Sequence, residues 1–199
     1  AIGIDGMDGS KEIMCSMYGD KMLERGMASF VYDGPGQGEC PVNGLYVTKD
    51  NHMAAAQAIY DWLIQHPHID KDRLVIFGIS FGSFFGAQAA AQLGDKVKGA
   101  ALSFVCHEPG CYTIFNMAAP TFKLRFMFMA GYDNEEEFDE FISEFSLGPI
   151  TDQIKCPILV QGGQDEELSP VECSEEFVNK LSVPKKLVFY EGERHAIGG

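Results

Sequence analysis

No run of apolar residues in this chain approaches the roughly 20 needed to cross a bilayer as a helix, and no charged-then-apolar leader is visible. A membrane is not an expected partner. Positive charge is scarce: 15 Lys plus Arg stand against 29 Asp plus Glu, a formal net charge of -14. That balance repels phosphate backbones and anionic lipid surfaces, so nucleic acid is not an expected partner either. The six cysteines, Cys15, Cys40, Cys106, Cys111, Cys156 and Cys173, lack the short paired spacing of a metal site or a disulfide framework. They read as reduced thiols of a cytoplasmic protein, with Cys15 and Cys156 as small core residues. Cys106, His107, Glu108 and Cys111 come nearest to a ligand set, but no second pair accompanies them, and neither a metal nor another cofactor is expected. A Walker phosphate loop is missing too, because no Gly-Lys-Ser/Thr follows the glycine-rich stretch Asp33-Gly34-Pro35-Gly36-Gln37-Gly38.

What is present is an ordinary globular composition, 46% hydrophobic and 12% aromatic over 199 residues, enough for one domain with a sizeable core. Strand-like and helix-like stretches alternate. Strands are expected at Ala1 to Ile4, Met27 to Tyr32, Leu74 to Phe77, Val97 to Val105, Pro157 to Gln161 and Lys186 to Tyr190. Helices are expected from Lys11 to about Arg25 with Ser10 as N-cap, from Lys49 to Gln65, from Ser83 to Leu93 and from Val171 to Leu181. Such alternation predicts a mainly parallel sheet with helices on both faces. One stretch breaks the rhythm, about 48 residues from Cys106 to Gln153 where a short connection would serve. The expected organisation is a core over 1-105 and 154-199 with a lid over 106-153. Within the lid, Phe138, Phe141, Ile142 and Phe145 recur at helical spacing opposite an acidic face, and residues 121-130 offer an apolar wall or further core. The chain opens inside a strand and closes just past a histidine, and further residues are expected on both sides.

The centre of the pattern is Leu74 to Gly86, where a buried strand runs through Gly78-Ile79-Ser80-Phe81-Gly82 into a small-residue helix. Gly-x-Ser-x-Gly is a weak signal by itself. Between a strand and a helix it becomes the setting of a nucleophile elbow, in which close backbone approach lets a sharply turned serine project its hydroxyl. The plainer reading is a glycine-rich strand end that merely turns.

A serine hydroxyl needs a base within hydrogen-bond reach, itself oriented by a carboxylate. Asp165 follows the strand Pro157 to Gln161, and His195 follows the last strand. Ser80, Asp165 and His195, each beyond the carboxyl end of a strand, stand in the chain order of the α/β-hydrolase triad. Glu166 and Glu167 are rivals for the acid; His52 and His107 are spare histidines, whereas His66 and His68 read as surface residues. The oxyanion donors expected are the backbone N–H groups of Phe81, directly after the serine, and Met7, in the loop after the first strand.

Asp5-Gly6-Met7-Asp8-Gly9-Ser10-Lys11-Glu12, Arg25-Gly26-Met27-Ala28 and Tyr32-Asp33-Gly34-Pro35-Gly36-Gln37-Gly38-Glu39 resemble one branch of the α/β-hydrolases. That branch includes 2,6-dihydroxypseudooxynicotine hydrolase, bacterial esterases and fungal enzymes that shorten polyketides. The resemblance implies a serine triad on Ser80, Asp165 and His195, an oxyanion hole from Met7 and Phe81, and no cofactor. It also implies a small, fairly apolar substrate, cleaved at an ester or at a ketone-flanked carbon–carbon bond. Acyl transfer, peptide cleavage with the same triad, and a silent binding protein are the alternatives, and a homodimer is left open. The sequence departs from the branch at Asp5, where glycine is usual, so a carboxylate lies close to the expected oxyanion loop.

Overall fold

The computed structural model describes residues 1–196. Six parallel strands form one sheet: β1 (Ile2–Ile4), β2 (Phe30–Tyr32), β3 (Ile76–Ile79), β4 (Ala100–Ser103), β5 (Ile158–Gly163) and β6 (Lys185–Tyr190), in the spatial order β2-β1-β3-β4-β5-β6. Helices α1 (Lys11–Leu23), α2 (Asn51–Leu63), α3 (Phe81–Leu93) and α6 (Val171–Lys180) connect the strands, and α4 (Pro120–Ala130) and α5 (Glu135–Ser143) lie between β4 and β5. The strand order reverses at β1, so the loops after β1 and β3 leave the sheet side by side. In parallel sheets such a switch point opens a crevice at the carboxyl ends of the strands.

Residues in register divide the sheet into two faces. Ile76, Gly78 and Leu102 turn towards α3, where Gly86 packs against all three. Gly3 and Phe77 turn the other way, onto Met14 and Tyr18 of α1; the Tyr18 and Phe77 rings meet edge to face at 5.2 Å. Helix α3 is apolar all round, and every residue from Phe81 to Ala91 is buried, as in a helix enclosed by protein on all sides. The opposite face is less covered: Phe77, Ala101 and Leu159 are half-buried and, with Met22 and Met27, line an open groove of about 590 Å³.

The strand and helix expectations hold with shifted ends. The elbow strand occupies Ile76–Ile79 rather than Leu74 to Phe77, and its helix begins at Phe81, so the turn between them is a single residue. Residues 121-130 lie in α4, an apolar stretch whose two sides have different fates: Phe126, Met127 and Met129 are buried, Leu124 and Phe128 exposed. Rings from both sides of the long excursion interlock with the elbow helix. Phe81 lies 4.6 Å from Phe126, Phe84 lies 5.7 Å from Phe145, and Phe115 packs edge-on to Phe138. These residues share one continuous hydrophobic core with the strands. Lys123, nearly enclosed, ties α4 to α5 through Asp139 at 2.8 Å and Glu135 at 3.2 Å. Cys15 is exposed, contrary to expectation, because α1 turns Met14 and Gly19 inward and leaves Cys15 on its outer side; Cys156 is buried as expected. All six thiols are free, and no cluster of metal-ligating residues occurs among the described residues.

Candidate active site

Ser80 occupies the one-residue turn between β3 and α3 with φ 53° and ψ -130°, a region that side chains rarely adopt. Its surroundings hold it there. The Ser80 N–H donates to the Ser103 carbonyl at 2.9 Å, continuing the β3–β4 ladder, and its own carbonyl accepts from Ser83 N–H at 2.8 Å. A Cβ at Gly78 would collide with the Gly82 carbonyl, and one at Gly82 with the carbonyls of Ile4 and Asp5. Only glycine lets these backbones meet. The Ser80 hydroxyl is thereby carried to the carboxyl ends of the strands.

His195 arrives from the loop after β6. Its Nε2 lies 2.8 Å from Ser80 Oγ, across 115 residues of sequence. On the other side of the ring, Nδ1 lies 2.8 Å and 2.9 Å from the two carboxylate oxygens of Glu166. A carboxylate accepts only, so Nδ1 carries the proton and the unprotonated Nε2 accepts from the serine O–H. Glu166 is fully enclosed and its Oε1 also accepts from Leu168 N–H at 2.9 Å, which fixes the carboxylate plane. The His195 backbone N–H donates to Glu167 at 3.0 Å.

The acid expected at Asp165 is therefore corrected: the structure sets Glu166, not Asp165, against His195. Strand β5 continues to Gly163, two residues past its expected end, through pairing of Gly162 with Phe189 and Gly163 with Tyr190. The extra length carries Gln164 and Asp165 into backbone bonds with Tyr190 and Glu193, at 2.9 Å each, and leaves both side chains exposed. The first inward-turning residue is then Glu166. Its signal in the sequence was only its membership of the run Asp165-Glu166-Glu167.

Of the two expected donor amides, that of Phe81 directly follows the serine, and that of Met7 follows Gly6, the residue that meets the serine. Phe81 N–H opens α3, where the first amides have no intrahelical acceptor. Met7 is buried in the loop after β1, and its N–H meets no acceptor among the described residues. Gly6 lies flush against the serine, since a Cβ there would stand 2.8 Å from Ser80 Cβ.

The spare histidines sit elsewhere. His52 lies in α2, stacked on Phe85 with ring centroids 3.5 Å apart and Nε2 2.9 Å from the Pro35 carbonyl. His107 packs beside Phe177, with Nδ1 3.0 Å from Ser174 Oγ. Burial lowers both to pKa values of about 3, so each is neutral at pH 7. His66 and His68 are on the surface. Cys106 is enclosed near Ser80 and Glu166, and burial pushes its thiol well up, so it is protonated and inert as a nucleophile. Burial also raises the Asp5 carboxyl above the usual carboxylate range, against its bond from Gly6 N–H, and nearby Asp33 adds to the rise.

Comparison with known proteins agrees with this architecture. Hydrolase acrC of Aspergillus aculeatus is 24% identical over 80% of this chain and 45% of its own length. Among solved structures, 2,6-dihydroxy-pseudo-oxynicotine hydrolase superposes with a TM-score of 0.85 at 24% identity, over 98% of this chain and 54% of that one. Est1E from Butyrivibrio proteoclasticus, solved with ferulic acid bound, gives 0.69 at 18% identity, over 98% of this chain and 80% of that one. The chain spans about half the length of the first two. The prolyl oligopeptidase family profile matches residues 19–199, nearly the whole chain. With its serine elbow at the switch point of a six-stranded parallel sheet, the chain belongs to the prolyl oligopeptidase family and has the α/β-hydrolase fold.

Proposed function

We propose that the protein is a serine hydrolase acting on an ester, or on a ketone-flanked carbon–carbon bond, in a small and fairly apolar molecule. The observation that carries this reading is the unbroken chain Ser80 Oγ, His195 Nε2, His195 Nδ1 and Glu166 carboxylate, each link 2.8–2.9 Å. Ser80 is the nucleophile. As its oxygen attacks the substrate carbonyl carbon, the hydroxyl proton passes to His195 Nε2, and Glu166 stabilises the imidazolium that forms. The carbonyl oxygen becomes an oxyanion facing the N–H groups of Met7 and Phe81. Such donors are each worth roughly 3–4 kcal/mol in the transition state. When the tetrahedral centre collapses, the leaving group takes the proton from Nε2 and an acyl group remains on Ser80. Water, deprotonated by the same nitrogen, then releases the acid and restores the serine.

In this reading the segment 106-153 lies beside the site. Phe104 stands at its root with its ring 6.3 Å from that of His195, and α4 sends Arg125 to the Met7 carbonyl at 3.4 Å. The similarity to hydrolases, and to Est1E solved with ferulic acid bound, supports this reading. Peptide cleavage is the second reading, favoured by the family profile. No cofactor is assigned, and the cytoplasm is the proposed compartment.

A fluorophosphonate probe tests the core of the proposal. Labelling of the purified protein that disappears in Ser80→Ala is expected. A folded wild-type protein that takes no label overturns the hydrolase reading. Short-chain aryl esters, vinylogous diketones and aminoacyl amides, assayed side by side, then separate the three substrate classes.

A further inference from the structure

The loop Asp33-Gly34-Pro35-Gly36-Gln37-Gly38, which follows β2, has no part in the chemistry above, yet it is built with unusual care. Gln37 is buried, and both polar atoms of its amide are hydrogen-bonded inside the protein. Its Nε2 donates to the Asp5 carbonyl at 2.8 Å and to the Gly6 carbonyl at 3.0 Å, and its Oε1 accepts from Gly34 N–H at 3.0 Å. The orientation of the amide is forced, because the reverse would set its oxygen against two carbonyl oxygens. Behind it the loop is anchored by His52 on the Pro35 carbonyl and by Lys11, whose Nζ pairs with Asp33 at 2.7 Å.

The consequence follows from peptide geometry. In a trans peptide unit the C=O and the N–H point in opposite directions. Gripping the Gly6 carbonyl therefore points the Met7 N–H away from Gln37, and Gly6 itself rests against Ser80. Gripping the Asp5 carbonyl fixes the preceding unit, whose Gly6 N–H is bonded to Asp5 Oδ1 at 2.7 Å. One amide is thus occupied and the next is left open. On the Met7 side, Arg125 holds the following carbonyl from α4.

We propose that Gln37 is a positioning residue for the oxyanion loop: it holds the Asp5 and Gly6 carbonyls so that the Met7 N–H faces the reacting carbonyl above Ser80, while the Asp5 side chain keeps the Gly6 N–H out of use. This rests on the serine-hydrolase reading. Gln37 touches no substrate and acts only through the backbone it holds.

The test uses Gln37→Met, which keeps the side-chain length and removes the donors, and Gln37→Glu, which keeps the acceptor for Gly34. Activity towards 4-nitrophenyl acetate is expressed per active site titrated with the fluorophosphonate, which removes misfolded protein from the count. A kcat lower by roughly 10- to 100-fold with KM within about threefold is expected, since a displaced donor weakens transition-state binding alone. Binding of phenylboronic acid, which forms a tetrahedral adduct on serine, weakens in parallel. Titrated sites that keep the wild-type kcat, whatever the loss of thermal stability, overturn the proposal. A measurement on the wild type guards against variants that fail to fold: on boronate binding, the Met7 amide proton is expected to move downfield in the NMR spectrum and the Gly6 amide to stay. A shift at Gly6 instead overturns the assignment. Wild-type protein that neither labels nor hydrolyses fails one step earlier, at the hydrolase reading itself, and takes this proposal with it.

Discussion

The two ends of the candidate site are built by different means. The serine end is a backbone construction: two glycines in close approach, a ladder bond from Ser80 to Ser103, and a helix buried on every side. The acid–histidine end is a side-chain construction on two loops, where Glu166 is enclosed, His195 is partly open and neighbouring Asp165, Glu167 and Arg194 face solvent. Backbone constructions tolerate no substitution at their contact points. Side-chain constructions discriminate among neighbours of the same chemical type, and a shift of one position chooses a different acid.

The largest expected effect tests that discrimination. Glu166→Gln should lower kcat towards aryl esters by roughly 10³-fold, because the amide removes the charge that stabilises the imidazolium and can set the wrong tautomer. Asp165→Asn should stay within about twofold, as for a surface change. Steady-state kinetics of the pair decide the matter, and the reverse ranking would return the acid to Asp165. Next in size, Gly82→Ala pushes a methyl group into the Ile4 and Asp5 carbonyls and should cost about 3 kcal/mol, read by urea unfolding. A neutral result would show that the serine end yields more than its contacts suggest.

The smallest effect separates the ends by pH. His52 supports the serine end through Phe85, and His107 supports the acid end, where its backbone N–H and that of Glu108 share Ser169 Oγ. Both have pKa values of about 3 when folded, lowered by burial, against about 6.5 when unfolded. Between those values the unfolded chain binds more protons, so stability falls as the pH drops through this window. Each histidine contributes up to about 1.4 kcal/mol per pH unit. His52→Gln and His107→Gln should each flatten the dependence of unfolding free energy on pH by that amount. If only one does, the two ends open separately on acidification.

Much of this molecule was legible in its residues, and the illegible part has a physical cause. Alternating apolar strands and capped helices predict the six-stranded parallel sheet, and Gly78 and Gly82 predict the sharp serine turn, because each signal is local and concerns the backbone. Ser80 and His195 were singled out by type and order, and the structure sets them 2.8 Å apart. The carboxylate facing His195 was misplaced because its identity depends on how far β5 extends, which the pairing of Gly162 and Gly163 with β6 decides and no local pattern records. Cys15 was misplaced for a similar reason: α1 shows little separation of apolar and polar faces, so its inward side is set by contacts with β1 and not by its own periodicity. Gln37 carries no sequence signal beyond its place among glycines, since its role is visible only once two separate loops are seen to touch.

The backbone at Ser80 also bears on how such a chain evolves. A side chain held at φ 53° and ψ -130° costs on the order of 1–3 kcal/mol, and glycine would relieve most of it. Selection for heat resistance alone would therefore favour losing the hydroxyl, and a population of this sequence keeps serine at 80 only while its chemistry is under selection.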